Sequence, residues 1–256
     1  MKILFSPSET KCKDQSNIDN STKSFDSSSF IFPKLYDKRI EIIDKYRSYI
    51  QNANDDELIK LFGTKKLEVV EYYKTDIFNK PIMKVIQRYS GIAYDYLKYN
   101  TLPKSSQDYI DNNTLIFSNL FGVLLAGDLG IPDYKLKQGE SLYINNAKFN
   151  IEKFYKEEFS DTIDNYLEDE DILDLRAGFY EKFYTITQPY TTMKFVKNNK
   201  VVSHWAKAYR GILLKQMSIN NIQTTQELLD LQIDNLQIQE IQKSKYKTNI
   251  VYKITN

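Results

Sequence analysis

The side chains able to do chemistry in this 256-residue chain are few and scattered. Cys12 is the only cysteine and His204 the only histidine. A thiolate–imidazole pair between them is formally available, but they lie in unrelated segments, and a lone cysteine is usually a small structural hydrophobe. The same counts exclude an internal disulfide framework and an ordinary Cys/His zinc site. No clustered carboxylate motif offers iron an oxygen-rich alternative, so no metal and no cofactor are expected. Phosphate-loop, dinucleotide, HExxH and GxSxG motifs are missing. What remains is a short set. Lys207 and Arg210, three apart in a helical stretch, share a face. Asp128, just before Leu129-Gly130, is a metal ligand, a base or a turn former. Tyr89, Tyr94 and Tyr134 can offer aromatic faces or hydroxyls to an unstacked base, although with 20 tyrosines in the chain most must serve packing.

Charge adds a constraint. Lys plus Arg is 35 and Asp plus Glu 34, so the net charge of +1 exerts no bulk pull on a polyanion and any nucleic-acid binding must use a local basic patch. Only five residues are arginine (Arg39, Arg47, Arg88, Arg176 and Arg210), which limits bidentate phosphate contacts. Single-cysteine usage suits a reducing compartment. The opening apolar run, Ile3 to Phe5, is too short for a signal peptide, and no stretch approaches the ~20 apolar residues of a membrane span. A cytoplasmic monomer is expected.

The elements that must position these residues alternate in type. Lys2 to Phe5 reads as a short buried strand, and residues 8–29 as a polar loop. From Pro33, Leu35, Arg39, Ile42, Ile43, Tyr46 and Ile50 recur at helical spacing. Residues 57–73 give two short helical patterns broken by Phe62-Gly63-Thr64. Lys84 to Tyr89 looks like a strand, Tyr94 to Tyr99 like a short helix, and Leu115 to Leu125 like a nearly continuous apolar strand or buried segment. Gly127, Gly130, Pro132 and Gly139 punctuate an irregular connection. Ile151 to Leu167 is helical and Asp171 to Leu175 a buried strand. Met193 to Val196 and Val201 to Trp205 predict a hairpin through Asn198-Asn199, since Asn tolerates positive φ. A helix over Ala206 to Met217, a capping box at Thr224-x-x-Glu227 and a closing strand over Tyr246 to Ile254 complete the pattern. This predicts a single α+β unit over 1–256, with a central, mostly buried sheet and surrounding helices.

Four motifs carry a resemblance. Ile3-Leu4-Phe5-Ser6-Pro7-Ser8-Glu9-Thr10 opens the chain, and Tyr89-Ser90-Gly91-Ile92-Ala93-Tyr94 follows. Next come Phe117-Ser118-Asn119-Leu120-Phe121-Gly122-Val123-Leu124 with Asp128 and Tyr134-Lys135-Leu136. The last is Ala206-Lys207-Ala208-Tyr209-Arg210-Gly211. Together they resemble the YaaA family of bacterial peroxide-stress proteins over nearly the whole length. Glu9 stands where that family usually has lysine, Lys135 where it has arginine, and Arg176 to Tyr180 replace an Ala-Ser-x-Glu-Tyr element, which marks a divergent branch.

The resemblance implies a cationic cleft, a helix-hairpin-helix, DNA binding and protection when peroxide and iron threaten DNA. The hairpin would be residues 57–73, with the Gly63 and Thr64 turn approaching phosphate and Lys65 and Lys66 adding charge; two short helices joined by a glycine turn is the plain alternative. The cleft would gather Ser6, Lys11, Arg88, Tyr89, Gly91, Lys135, Lys207 and Arg210. The competing reading is an enzyme on a nucleotide or damaged base, lyase- or glycosylase-like, with Tyr94, Asp128 and Tyr134 as its candidate catalytic groups.

Overall fold

Ile3, Leu4 and Phe5 are almost fully buried. Sealed on both faces, such a run belongs inside a parallel sheet, and β1 (Lys2–Phe5) pairs in parallel with a strand on each side. The computed structural model describes residues 1–13, 25–145, 147–198 and 200–255. Most of the expected 8–29 loop, residues 14–24, therefore lies outside the described residues.

After β1 the chain builds α1 (Tyr36–Asn52), α2 (Asp55–Phe62), α3 (Leu67–Lys74), β2 (Ile82–Met83), α4 (Val85–Arg88), α5 (Ile92–Leu97) and α6 (Lys104–Asn113). It returns to the sheet with β3 (Thr114–Ser118) and β4 (Gly122–Leu125), then passes through β5 (Ile131–Pro132), β6 (Leu142–Ile144), β7 (Ala147–Phe149) and α7 (Ile151–Leu167). The last third holds β8 (Ile172–Asp174), β9 (Tyr190–Lys197), β10 (Lys200–Val201), α8 (Ser203–Ile219), α9 (Thr225–Asp230), β11 (Leu236–Lys243) and β12 (Lys247–Ile254). The main sheet runs β11-β12-β9-β8-β1-β3-β4, with β10 pairing β9, and is mixed: its centre is parallel and its hairpins antiparallel. From β1 the chain lays β3 on one side and only later returns to lay β8 on the other. That reversal puts a topological switch at the carboxyl ends of β1 and β8, where open sheets leave a crevice for ligands.

The helical stripe of α1 is as expected: Arg39, Ile42, Ile43, Tyr46 and Ile50 are its buried residues. Arg39 is tolerated there because its guanidinium donates to the Phe121 carbonyl and lies 5.0 and 4.9 Å from the ring centres of Phe30 and Phe159. The Thr224–Glu227 capping box forms, and Asn198 takes φ 51° in the β9–β10 turn.

Three expectations are corrected. Lys84 to Tyr89 is not a strand: α4 forms there, and the Val85 and Ile86 amides are captured by the Asp128 and Ala126 carbonyls. A short apolar run does not distinguish a buried turn of helix from a strand. Leu115 to Leu125, expected as a nearly continuous strand or a buried segment, is almost entirely buried but folds as a hairpin, β3–β4, so the single-strand alternative is the one corrected. Its turn, Asn119 to Phe121, is buried, and the Ser118 hydroxyl accepts the Leu120 and Phe121 amides (3.3 and 3.0 Å). Finally, β10 stops at Val201 and α8 starts at Ser203, so Trp205 is helical.

Candidate functional site

At the switch point lies a cavity of about 430 Å³, the size of a small-molecule site. Its walls are Ser6 at the exit of β1, Leu175 and Ala177 at the exit of β8, Tyr94 on α5, and Lys207 and Arg210 on α8. Gly91 lines it as well. The Ser6 hydroxyl accepts the Ala177 amide at 2.7 Å, tying the two strand ends together, and the Ser6 carbonyl accepts the Tyr94 hydroxyl at 2.9 Å. Burial, reinforced by Tyr180 and Tyr134, pushes the Tyr94 phenol well above its usual range. Tyr94 thus lines the cavity with its hydroxyl bonded to the β1 exit.

The close approach of α8 explains the Ala-Lys-x-x-Arg-Gly spacing. A Cβ on Gly211 would fall 1.9 Å from the Ala93 carbonyl oxygen of α5, and Ala208 is 1% exposed. Small residues let the two backbones meet, and one helical turn of α8 then presents Lys207 and Arg210 to the cavity. Arg210 is partly buried, and burial pulls its pKa below the usual guanidinium value, with Asp174 opposing. Asp174 is nevertheless committed elsewhere: Arg176 grips both its oxygens at 2.9 Å and donates onward to the Tyr180 and Tyr184 carbonyls. Neither Lys207 nor Arg210 makes a hydrogen bond or ion pair with a described residue. A partly desolvated guanidinium without a partner is costly, and an anionic ligand removes that cost.

A second cationic surface lies beside the cavity rim. Lys11 bridges to Tyr89 in a short antiparallel contact, and its amine sits 3.9 Å from the Tyr134 ring centre and 5.5 Å from that of Tyr89. Burial lowers the Lys11 pKa to about 7; Lys135 and Arg88 lower it further, against Asp133 and Glu9. Beneath it, the Tyr134 hydroxyl joins those of Ser118 (2.7 Å) and Tyr89 (3.1 Å), and burial raises it to about 12. Lys80 lies 4.6 Å from the ring centres of both Tyr72 and Tyr73, Lys13 4.3 Å from Tyr72, and Lys135 5.8 Å from Tyr73. The hydroxyls of Tyr72 and Tyr73 each bind Asp133 at 3.1 Å. Lys11, Lys13, Lys80 and Lys135 have no ion pair within 4.0 Å to a described carboxylate.

The structure thus brings Ser6, Gly91, Tyr94, Lys207 and Arg210 into the cavity, and Lys11, Tyr89, Tyr134 and Lys135 into the adjoining cluster. Other expected site residues are placed elsewhere. Arg88 is 1% exposed, and its guanidinium donates to the carbonyls of Cys12 (2.6 Å), Pro81 (2.9 Å) and Ile131 (3.3 Å), so it is a buried strut between segments rather than a group on the cavity wall. Asp128 uses one oxygen to accept the Leu125 and Ile31 amides (2.9 and 3.1 Å), the turn-forming alternative, and burial raises it to about 6. The helix pair α2–α3 is present, but Gly63, at φ 61°, and Thr64 donate their amides to the Lys60 and Ile59 carbonyls. Those amides cap α2 and are not offered to a phosphate; Lys65 and Lys66 are exposed beside them. The His204 side chain lies outside the described residues, and Cys12 is partly buried beneath Arg88. Among the described residues no group of three or more His, Cys, Asp or Glu is placed to hold a metal ion, and no helix is long and apolar enough to cross a membrane.

The sequence profile of the family described as peroxide stress protein YaaA matches residues 1–242. The chain belongs to this family. It is 48% identical to an uncharacterized protein of Campylobacter jejuni, over 99% of each chain. It is also 32% identical to a UPF0246 protein of Corynebacterium efficiens over 88% of each, and 27% identical to one of Fusobacterium nucleatum over 93% of each. Glu9 accepts the Gln138 amide at 3.0 Å, clipping the 135–139 connection to the cavity rim. Arg176 holds both oxygens of Asp174.

Sequence reasoning misses the roles of Lys13, Lys80, Tyr72, Tyr73, Leu175, Ala177 and Tyr180. Nothing local distinguishes Lys13 or Lys80 from other lysines. The Asp133-Tyr134-Lys135 triplet is the available signal, of which spacing singles out only the last two members.

Proposed function

We propose that this YaaA-family protein binds DNA during peroxide stress, as a cytoplasmic monomer that shields DNA and limits iron-dependent damage. The observation that carries this reading is the lysine–tyrosine cluster: Lys11, Lys13, Lys80 and Lys135 stand over tyrosine rings with no described carboxylate paired to them, in a chain of net charge only +1. Lysines attract the backbone irrespective of sequence, and an exposed ring such as Tyr72, at 41%, can stack an unpaired base. Lys65 and Lys66 extend the charge along α2–α3, through side chains rather than turn amides. The enzyme reading is less well supported, because the Tyr94 hydroxyl is bonded to Ser6 and Asp128 holds a turn.

The test is a gel-shift titration of duplex and bubbled DNA over a range of salt with wild type and Lys13→Glu/Lys135→Glu. Affinity is expected to fall at least ~10-fold, and the salt slope to shrink by about 1 for each phosphate no longer neutralised. Unchanged affinity and slope in the folded double variant would end the proposal.

A further inference from the structure

We infer that the cavity at the ends of β1 and β8 is a subsite for one nucleotide unit, its phosphate held by Arg210 and Lys207 and its base against the aromatic and apolar wall. As applied to polymeric DNA this deepens the DNA-binding reading and rests on it; as applied to a free mononucleotide it stands alone. Size comes first: about 430 Å³ admits one small molecule and no duplex. Charge comes second. Arg210 and Lys207 face the same space without a hydrogen bond or ion pair to a described residue, Asp174 being held by Arg176, and Glu9 at the rim leaves the lining one positive charge in excess. Such a site selects a monoanionic or dianionic group, and a planar guanidinium matches the oxygens of a phosphate.

The remaining lining gives the rest of the ligand. Phe5, Ile92, Leu175, Tyr94 and Tyr180 are apolar or have rings, and the Tyr94 hydroxyl is already bonded to Ser6. A wall of this kind accepts a base through its face rather than its hydrogen-bonding edge, so little base selectivity is expected. The position agrees, since crevices at the carboxyl ends of parallel strands beside a topological switch are where α/β sheets seat phosphorylated ligands.

Calorimetric titration of the full chain with dAMP, dTMP, deoxyadenosine and inorganic phosphate tests this, run beside the duplex gel shift. Wild type should bind dAMP and dTMP with similar affinity, and deoxyadenosine and phosphate each at least ~10-fold more weakly. Arg210→Gln should lose about 10- to 100-fold in dAMP affinity, the range for a hydrogen-bonded charge. Because it removes an unpaired, partly desolvated charge, that variant should melt no lower than wild type, so the loss cannot be assigned to unfolding. Lys207→Gln, at an exposed position, provides a second variant with the same expected direction. The inference is overturned if wild type binds neither mononucleotide, if deoxyadenosine or phosphate binds as tightly as dAMP, or if both variants keep wild-type affinity. A chain that shifts duplex but ignores dAMP would sink this inference alone; one that binds dAMP but no duplex would sink the DNA reading and leave the subsite standing.

Discussion

Gly211→Ala pits two physical effects against each other with opposite signs. Position 211 lies in the middle of α8, where intrinsic helix propensity alone favours alanine by about 1 kcal/mol. Against this, the new Cβ would sit 1.9 Å from the Ala93 carbonyl oxygen and 2.8 Å from its carbon. Ordinary C···O contacts begin at about 3.3 Å, so α8 and α5 must separate by roughly 1.4 Å. The obstacle is main chain, which cannot rotate aside, placing the cost at the upper end of the ~1–3 kcal/mol typical of overpacking. The net is a loss of about 1–2 kcal/mol, or a melting temperature lower by roughly 2–8 °C for a chain of this size. Thermal and urea unfolding followed by circular dichroism measures it. Gly178→Ala is the control, because its Cβ would meet nothing nearer than 3.9 Å, and it should change little. A Gly211→Ala variant as stable as wild type, or more so, would refute the claim that the α5–α8 contact dictates glycine here. Since Arg210 is the preceding residue, the same variant should also weaken dAMP binding.

Two further outcomes follow from the titrating groups. Asp128 is raised from 3.8 to about 6 by burial, so the native state holds a proton more firmly than the unfolded chain between those values, and stability should fall as pH rises from about 4 to 6 and then level off. Both its accepted amides meet one oxygen, which an amide carbonyl can replace; Asp128→Asn should flatten that slope without loss of stability at pH 7, and an unaltered slope in urea titrations would show the assignment to be wrong. Lys11, lowered to about 7, gains a proton when phosphate approaches, so DNA affinity should decline from pH 6 to pH 8.5. Lys80, lowered by burial to about 8, adds to the upper part of that range. Lys11→Gln should reduce the pH dependence in gel shifts, and a variant with the wild-type profile would exclude Lys11 as its source.

Much of the architecture was legible because it follows from local patterning. The α1 stripe including Arg39, the Thr224–Glu227 box and the Asn198 turn each depend on residues within a few positions of one another. The failures share a cause. In Lys84 to Tyr89 and Leu115 to Leu125 the polar residues Arg88, Ser118 and Asn119 are buried together with the apolar ones, so hydrophobic patterning does not mark where one element ends. For the site, spacing pairs Lys207 with Arg210, while Gly211 enters only through the family resemblance, which does not say why glycine is needed there.

The sequence by itself determined the family, the mixed α+β class, the exclusion of disulfide and Cys/His zinc chemistry, and the shared helical face of Lys207 and Arg210. All of these reside in composition or in short-range order. Only the tertiary structure decided which charges are free. The Arg88 guanidinium is buried against the carbonyls of Cys12 and Ile131, 76 and 43 residues away, while Arg210 is left facing a cavity. A hydrogen bond between segments far apart in the chain is a fact of three-dimensional proximity. Whether a cation is a strut or a binding group therefore has no signature in residue type.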